Sequence, residues 1–559
     1  MTFKNILFTA KGIIIMHIIR QLLMISLFVI VGSLFYVGFT NQKELYQSLT
    51  TIQALIKERQ SQPQDGTQVI ERIVAAQPWS EVQKLAKDTV VQIIAQTAEI
   101  NILKPYETPR QGGGFGSGFF ISNQGEIITN VHVVDQAQAV WIKIPSLGKA
   151  ILPVEVIGKA PERDLALLKI TQDGLAILER ELGQRTTPFL QLGDSDLVHR
   201  ADEVLALGYP LGQSSLKSTS GVVSGREDLG GKHYIQISSP INPGSSGGPA
   251  LNNVGQVIGV TVAGIVTAQN VGYIIPVNEL KMILDDLRTK KLLRRPFLGV
   301  LIGNASYDLA KYLGNPVPSG CYVIDTHSYG PLAKAGIKKG DMLYEINGLT
   351  LDEFGDLRVP WSEEKIPFTD YITRLKEGQK VTVKAYRNGK EINVTFTFDT
   401  LDLAPVRKII VGEDPIDYEI FGGMLFQPLT LNLVQALVQN NPHLIKYVDF
   451  KHQIDPALVI THIMPSSIVD RLVVVQPGAI ISKVDNIPVK TMEDLRTTLK
   501  KAINKKRIVF ETDEGALFVI HTATTLTDEN RLATIYHYRL SPFMQEILNE
   551  KNKKEITST

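Results

Sequence analysis

Residues 242–251 read NPGSSGGPAL, and this stretch decides the fold because it places Ser246 between glycines in a short turn. A G-x-S-x-G pattern is compatible with several hydrolase folds and with a plain Gly/Ser loop. A serine hydroxyl is a poor nucleophile near neutral pH and needs a histidine base that a carboxylate holds in place. The fold therefore depends on where the partners of Ser246 lie in the chain.

A histidine and an aspartate precede Ser246 at positions that suit these two partners. His132 follows the predicted strand EIITN, and Asp164 stands just before the predicted strand LALLKI. An α/β-hydrolase would run serine, acid, histidine, and its nucleophile would be followed by a helix. Here the order is histidine, aspartate, serine, and the predicted strand GQVIGVTV follows. The sequence therefore excludes the nucleophile turn of an α/β-hydrolase. The order of histidine, aspartate and serine along the chain is that of trypsin-like proteases.

Seven blocks in this order make the resemblance specific: GSGFFIS, TNVHVV, RDLALLKI, LGYPLG, GVVSG, INPGSSGGPALN and GYIIPV. Together they resemble an HtrA (Do/Deg) serine protease over roughly residues 80–287. The short β-rich runs between 90 and 277 independently indicate a sandwich or barrel. The resemblance implies a mainly β chain with a two-barrel chymotrypsin/trypsin-like protease domain.

The resemblance also implies roles for the residues of the site. His132 is the general base, Asp164 orients it, and Ser246 forms the acyl-enzyme. The oxyanion hole comprises Gly244, Ser245 and Ser246, with the backbone amides of Gly244 and Ser246 as donors and Ser245 shaping the loop. Ser245 stands where the family usually has Asn.

The substrate pocket is expected to favour a small or medium apolar side chain. Pro240 lies six residues before the nucleophile, where trypsin keeps its specificity aspartate, and no acid stands there. Ser238-Ser239-Pro240 replace the Asp-Ala-Ala of the family. The stretch TVAGIV is expected to line the pocket, chiefly through Thr261, Val262, Ala263 and Gly264.

The second half of the chain contains a repeat. KKGDMLYEINGLTLDEFGDL (338–357) resembles VQPGAIISKVDNIPVKTMEDL (475–495), which indicates two related modules. They resemble the PDZ-like α+β domains of the family, whose peptide-binding loop corresponds to Phe297, Leu298, Gly299 and Val300 in the first module. FGGMLFQPLT (421–430) opens the second, and whether that module binds peptide is left open.

The N-terminus contains an uncharged stretch, Gln21–Phe39, about long enough to cross a bilayer. Basic residues precede it, so the bulk of the chain is expected outside the cytoplasm. We interpret it as an N-terminal transmembrane helix, with a cleaved signal peptide as the alternative. This predicts a single-pass protein of the inner (cytoplasmic) membrane facing the periplasm, or a secreted periplasmic protein if the segment is cleaved.

The predicted organisation has six parts. They are an anchor or signal sequence (1–40), a helical stalk (41–78), the protease domain (79–291), the PDZ-like domains (296–400 and 415–525) and a frayed polar tail (526–559). The net charge of the 559 residues is +1, which gives no electrostatic case for nucleic acid. A single cysteine, Cys321, excludes an intrachain disulfide. The histidines other than His132 show no paired ligand spacing, so we expect neither a metal nor an organic cofactor.

These features predict an ATP-independent serine endopeptidase that degrades unfolded or damaged exported proteins in quality control. Its PDZ-like domains would bind substrate C-termini or regulate the active site. The family resemblance implies a homotrimer or a larger homo-oligomer. Two alternatives remain: a chaperone or scaffold that cuts poorly, and a signalling protease that a peptide activates. The sequence leaves the natural substrate and the activating signal open.

Overall fold

The computed structural model describes residues 79–229, 232–262, 271–294, 298–316, 319–362, 364–376, 378–398 and 404–558. The predicted anchor and stalk lie outside the described residues. Within the described ranges, no helix combines the length and the apolar character needed to cross a membrane.

The protease domain begins with a short helix and a closed six-stranded barrel. The helix α1 spans Trp79–Ala86, and a second helix, α2, spans Gln172–Leu182. The strands pair in the order β1-β2-β3-β6-β5-β4. Their bounds are β1 Val90–Glu99, β2 Arg110–Phe120, β3 Glu126–Thr129, β4 Ala137–Lys143, β5 Leu152–Ala160 and β6 Leu165–Ile170. Large apolar side chains such as Phe120 and Ile127 are fully buried inside this barrel.

A second closed barrel follows, with the order β10-β11-β12-β9-β8-β7. Its strands are β7 Glu203–Gly208, β8 Lys217–Asp228, β9 His233–Ile237, β10 Pro249–Leu251, β11 Val257–Val262 and β12 Gly272–Pro276. The helix α3, Val277–Thr289, buries Leu280, Ile283 and Leu287 in a cluster that joins the two barrels. The predicted two-barrel architecture is therefore confirmed, and the active-site segments fall between the barrels.

The first PDZ module is a sheet in the order β13-β14-β15-β19-β20, so β13 lies at one edge. Its strands are β13 Val300–Asn304, β14 Cys321–Thr326, β15 Met342–Ile346, β16 Leu349–Thr350, β17 Asp356–Leu357, β18 Ile366–Pro367, β19 Lys380–Arg387 and β20 Lys390–Thr397. Its helices are α4 Tyr307–Tyr312, α5 Pro331–Lys334 and α6 Phe368–Thr373. Cys321 is buried, and burial raises the pKa of its thiol to about 12, so this cysteine is a packing residue.

The second module repeats this order but adds one strand: β21-β22-β23-β24-β26-β27. The strands are β21 Glu419–Phe421, β22 Met424–Pro428, β23 Leu458–Ile463, β24 Ile480–Val484, β25 Ile487–Pro488, β26 Arg507–Thr512 and β27 Leu517–His521. Its helices are α7 Leu431–Leu437, α8 Phe450–Gln453, α9 Ile468–Leu472, α10 Met492–Ala502, α11 Thr522–Tyr536 and α12 Pro542–Ser558. Because β22 to β27 correspond to β13 to β20 without the β17–β18 pair, β21 is the added strand.

The end of the chain differs from the predicted polar tail over 526–559. Residues 522–558 form α11 and α12, which pack on the core of the second module. Leu526, Met544 and Ile547 are at most 3% exposed. The charged end KNKKEITST indicates a solvated tail, while the apolar residues between 526 and 548 find their core only in the folded module.

Candidate active site

His132 lies on a single 3-10 turn, Val131–Val133, directly after β3. Its Nδ1 is 2.8 Å from Asp164 Oδ2, and its backbone N–H donates to Asp164 Oδ1 at 3.0 Å. The carboxylate therefore holds the histidine at both its main chain and its ring. A ring whose Nδ1 faces a carboxylate turns Nε2 outward, and the side chain is 48% exposed, so Nε2 can reach a substrate.

Asp164 ends the turn before β6 and has a φ of +56°, a left-handed conformation that aspartate tolerates better than most residues. Its backbone carbonyl accepts hydrogen bonds from Asn130 Nδ2 at 2.9 Å and from the amide of Val131 at 3.3 Å. The acid is only 8% exposed. The segments that carry the acid and the histidine are therefore held together by main-chain and side-chain bonds within one barrel.

The Ser246 loop belongs to the second barrel but is fixed against the first. The carbonyl of Ser246 accepts from the amide of Ser117 at 2.8 Å, and the amide of Gly247 donates to Thr261 O at 2.8 Å. A Cβ on Gly247 would collide with the Ser117 carbonyl and the Thr129 hydroxyl. The serine loop thus sits against residues 129–130, two positions before His132, so the structure brings the three predicted catalytic segments together.

Ser117 is the residue that sequence reasoning missed. It is fully buried in β2, and its Oγ donates to the carbonyl of Gly244 at 2.8 Å and accepts from the amide of Tyr209 at 2.9 Å. Its carbonyl accepts from Thr129 Oγ1 at 2.8 Å. Ser117 therefore connects the serine loop to both barrels. The only signal in the sequence was a serine between glycines in the block GSGFFIS.

The amide of Gly244 is oriented by the peptide unit that contains it. The Pro243 carbonyl accepts from the amide of Leu211 at 2.6 Å. Because a trans peptide directs C=O and N–H to opposite sides, the Gly244 N–H points away from Leu211. Gly244 has a φ of +93°, and a Cβ there would lie 2.6 Å from Tyr209 O, so only glycine fits without strain.

Ser245 shapes the serine loop as expected, because its amide donates to Asn242 O at 3.0 Å and closes the turn. Thr261, predicted to line the substrate pocket, has a different role. Thr261 is fully buried, and its hydroxyl donates to the carbonyls of Ser245 at 2.6 Å and Gly248 at 3.1 Å. Thr261 supports the serine loop from behind and does not line a pocket.

The remaining pocket predictions are only partly covered by the described residues. Pro240 is exposed and Val262 is partly exposed, so both can contact a substrate. Ala263 and Gly264 lie outside the described residues. Ser239 is buried, and no described residue bonds its hydroxyl. A pocket for an apolar side chain therefore stays a prediction.

The loop that is predicted to bind peptide in the first PDZ-like module precedes the edge strand β13. Gly299 has a φ of +71°, and its carbonyl accepts from the amide of His327 at 2.8 Å. Leu298 is 4% exposed and packs in the module core, while Val300 begins the strand. Phe297 lies outside the described residues. An edge strand behind such a loop has the arrangement that accepts an added peptide strand.

In the second module the corresponding edge is covered. The strand β21 pairs antiparallel with β22 through a two-residue turn, Gly422-Gly423. The amide of Gly422 donates to Glu529 Oε1 on α11 at 2.5 Å. Glu529 is fully buried, and burial raises the pKa of its carboxyl to about 7. The strand β21 thus lies where an added peptide strand would pair, and the Glu529 carboxyl lies where the terminal carboxylate of such a peptide would bind.

Comparison with protein-family models agrees with this architecture. Residues 116–260 match the trypsin-like peptidase domain family, and residues 296–397 and 406–539 each match the PDZ domain family. The solved structure of the HtrA-type protease AlgW with tripeptide has 25% sequence identity and a TM-score of 0.46, and the match covers 59% of this chain and 98% of that one.

Two curated relatives carry the name probable periplasmic serine endoprotease DegP-like. The protein from Marinomonas sp. is 31% identical over 344 residues, which is 57% of this chain and 68% of that protein. The protein from Pseudomonas fluorescens is 30% identical over 409 residues, which is 72% of this chain and 76% of that protein. The chain therefore belongs to the HtrA family of DegP-like serine endoproteases, in which PDZ domains follow a trypsin-like peptidase domain.

Proposed function

We propose that this serine endopeptidase cleaves unfolded or damaged proteins outside the cytoplasm and uses His132, Asp164 and Ser246 as its catalytic triad. The observation that carries the proposal is the double contact of Asp164 with the ring and the amide of His132, at 2.8 and 3.0 Å, beside a serine loop bound to the same barrel. The DegP-like names of the relatives support the periplasmic setting.

In this mechanism Ser246 Oγ attacks the scissile carbonyl while His132 Nε2 takes the hydroxyl proton. The amides of Gly244 and Ser246 donate to the oxyanion that forms, and each such donor lowers the barrier by about 2.7–4 kcal/mol. His132 then gives its proton to the leaving amine, and water hydrolyses the acyl-enzyme by the same steps. Asp164 stays ionised and stabilises the imidazolium. These steps require neither a metal ion nor an organic cofactor.

The first PDZ module would bind the exposed apolar C-terminus of a substrate along β13. Its position at the edge of the sheet supports this role, since a peptide strand can bond to the unpaired side. The second module would serve as a structural domain. A homotrimer and an N-terminal membrane anchor belong to the same proposal and rest on the family resemblance and on the sequence.

The test follows casein cleavage on a gel by the parent chain and by Ser246→Ala and His132→Ala. The control His199→Ala removes an exposed histidine just before the second barrel, whose backbone amide, which the variant keeps, donates to Asp202 Oδ2 at 2.8 Å. We expect the two site variants to lose cleavage and the control to keep it. Cleavage that survives in both site variants would refute the triad. A parent that cuts only after a C-terminal peptide is added would indicate a signalling protease, and an inactive parent that suppresses aggregation would indicate a chaperone.

A further inference from the structure

The first PDZ module contacts the second barrel through polar side chains around α6. Arg374, just after this helix, donates to both carboxylate oxygens of Asp196 at 3.0 Å and lies 3.4 Å from Glu279. Asp370, within the helix, is only 3% exposed, and its Oδ2 is 3.2 Å from His233 Nδ1. The contact of Asp370 with His233 is thus buried between two domains.

A second carboxylate faces the same imidazole nitrogen. Asp228 is the cross-strand partner of His233 at the end of the β8–β9 hairpin, and its Oδ2 is 3.7 Å from His233 Nδ1. One donor atom from each of Asp228, His233 and Asp370 lies within 4.8 Å of the other two. The other oxygen of Asp370 accepts from Thr369 Oγ1 at 3.2 Å, which fixes the orientation of the carboxylate.

The distances between the donor atoms suit a tetrahedral metal ion. Ligands of a tetrahedral zinc ion lie about 3.3 Å apart, because each bond is about 2.0–2.1 Å long. The two distances from His233 Nδ1, 3.2 and 3.7 Å, are close to that spacing.

We propose that Asp228, His233 and Asp370 bind one divalent transition-metal ion, with Zn²⁺ the ion that suits the donors best, and that this ion joins the protease domain to the first PDZ module. A neutral imidazole and two carboxylates balance the charge of +2. Imidazole nitrogen favours zinc over calcium or magnesium, which prefer oxygen ligands. Three protein donors leave the fourth tetrahedral position to water.

The groups around the cluster are compatible with a cation. Arg163 and Lys232 line the same cavity as His233. Arg163 is engaged by Glu279 Oε2 at 3.2 Å and by the Thr373 carbonyl. His233 Nε2 is buried without a hydrogen-bond partner among the described residues, and Glu279 Oε1, which lies 3.4 Å from Arg374 Nε, accepts no hydrogen bond from them either. Both residues line one cavity of about 30 Å³, which has room for one water. A water there would connect the outer nitrogen of a metal-bound His233 to a carboxylate, as the supporting shell of zinc sites requires.

The metal would hold α6 against the β8–β9 hairpin. Phe368 and Ile372 of this helix pack in the same core as Leu298 of the peptide-binding loop. On the protease side, β9 leads directly into Ser238-Ser239-Pro240, ahead of the serine loop. The ion would therefore stabilise the orientation of the peptide-binding module relative to the catalytic domain, which is a property separate from the cleavage chemistry.

The test measures zinc bound to the full chain, without a polyhistidine tag and with Ser246→Ala to prevent self-cleavage. After equilibration with Zn²⁺ and dialysis, we expect one zinc per chain by atomic emission. His233→Ala, Asp370→Asn and Asp228→Asn should each weaken zinc binding at least tenfold. His199→Ala should keep the full amount. Asp228 is 31% exposed, so its variant is the least able to disturb folding.

A second measurement separates this site from weak surface binding. Chelation by EDTA should lower the thermal unfolding temperature of the parent, because an ion that binds only the folded state stabilises it. The same treatment should leave the unfolding temperature of the Asp228→Asn variant unchanged. Zinc content that is equal in the parent and in all three ligand variants would overturn the proposal. A parent that binds no zinc would overturn it as well, whatever its activity towards casein.

Discussion

Replacing Ser117 by alanine tests how the first barrel positions the catalytic loop. The change removes the hydroxyl that bonds the carbonyl of Gly244 and the amide of Tyr209. It leaves the buried Tyr209 amide and the partly buried Gly244 carbonyl without that partner. An unsatisfied buried polar group costs about 1–3 kcal/mol of stability. The carbonyl that Ser117 holds belongs to the peptide between Gly244 and Ser245, which connects the two donor residues of the oxyanion hole. If this peptide turns, the Gly244 or Ser246 amide is displaced from the oxyanion, and kcat falls by about 10²–10³-fold.

The assay compares kcat and KM for a peptide substrate with the free energy of urea unfolding. Thr187→Val is the matched control, since Thr187 is also buried and its Oγ1 donates to a backbone carbonyl, that of Ser122, at 2.9 Å. Both variants should lose stability, but only Ser117→Ala should lose kcat with KM nearly unchanged, because an oxyanion contact acts in the transition state. A folded Ser117→Ala protein with the kcat of the control would refute the reasoning.

Three further changes probe other parts of the molecule. Asp164→Asn should lower kcat by about 10⁴-fold, because an amide at this position favours the wrong tautomer of the His132 imidazole. Steady-state kinetics measure this, and a folded variant with an unchanged kcat would contradict the role of Asp164. Burial raises the pKa of Glu529 to about 7 in the folded chain, against an ordinary value of 4.5. Its contribution to the free energy of unfolding should therefore be complete below pH 4.5 and be lost as the pH rises towards 7. Urea midpoints should lose this slope in Glu529→Gln but keep it in the exposed control Glu493→Gln, and a parent without the slope would contradict the assignment. Gly299→Ala would place a Cβ 2.5 Å from the Cα of Gly330. This variant should lose the binding of an apolar C-terminal peptide, measured by fluorescence anisotropy. The control is Gly348→Ala, because Gly348 also has a positive φ but a Cβ there would meet no atom within 4 Å. The control should retain peptide binding, and an equal loss of binding in both variants would contradict the role of the Gly299 loop.

The catalytic segments could be predicted from the sequence because their signals are local. His132, Asp164 and Ser246 each stand in a short block at a strand end, and their order in the chain distinguishes trypsin-like folds from α/β-hydrolases. The motif also predicts glycines in the serine loop, although the atoms that exclude a Cβ at Gly244 and Gly247 belong to residues far away in the sequence.

The roles that depend on distant contacts could not be predicted. Nothing near Thr261 in the sequence indicates that its hydroxyl bonds the serine loop, and Ser117 reaches that loop across 127 positions. The added strand β21 is three residues long and carries no signal of its own, since a short apolar run does not reveal its partner. Asp370 joins His233 and Asp228 only because two domains pack together.

The covered edge of the second PDZ module has a consequence for competition between ligands. A strand tethered by a two-residue turn meets its partner at an effective concentration of at least about the millimolar range, because the short connection keeps it close. A free peptide at about micromolar concentration would then face a roughly thousandfold disadvantage before any contact is compared. The two modules thus differ in the availability of their sheet edges: β13 is open to an added strand, and the edge of β22 is already paired with β21 of the same chain.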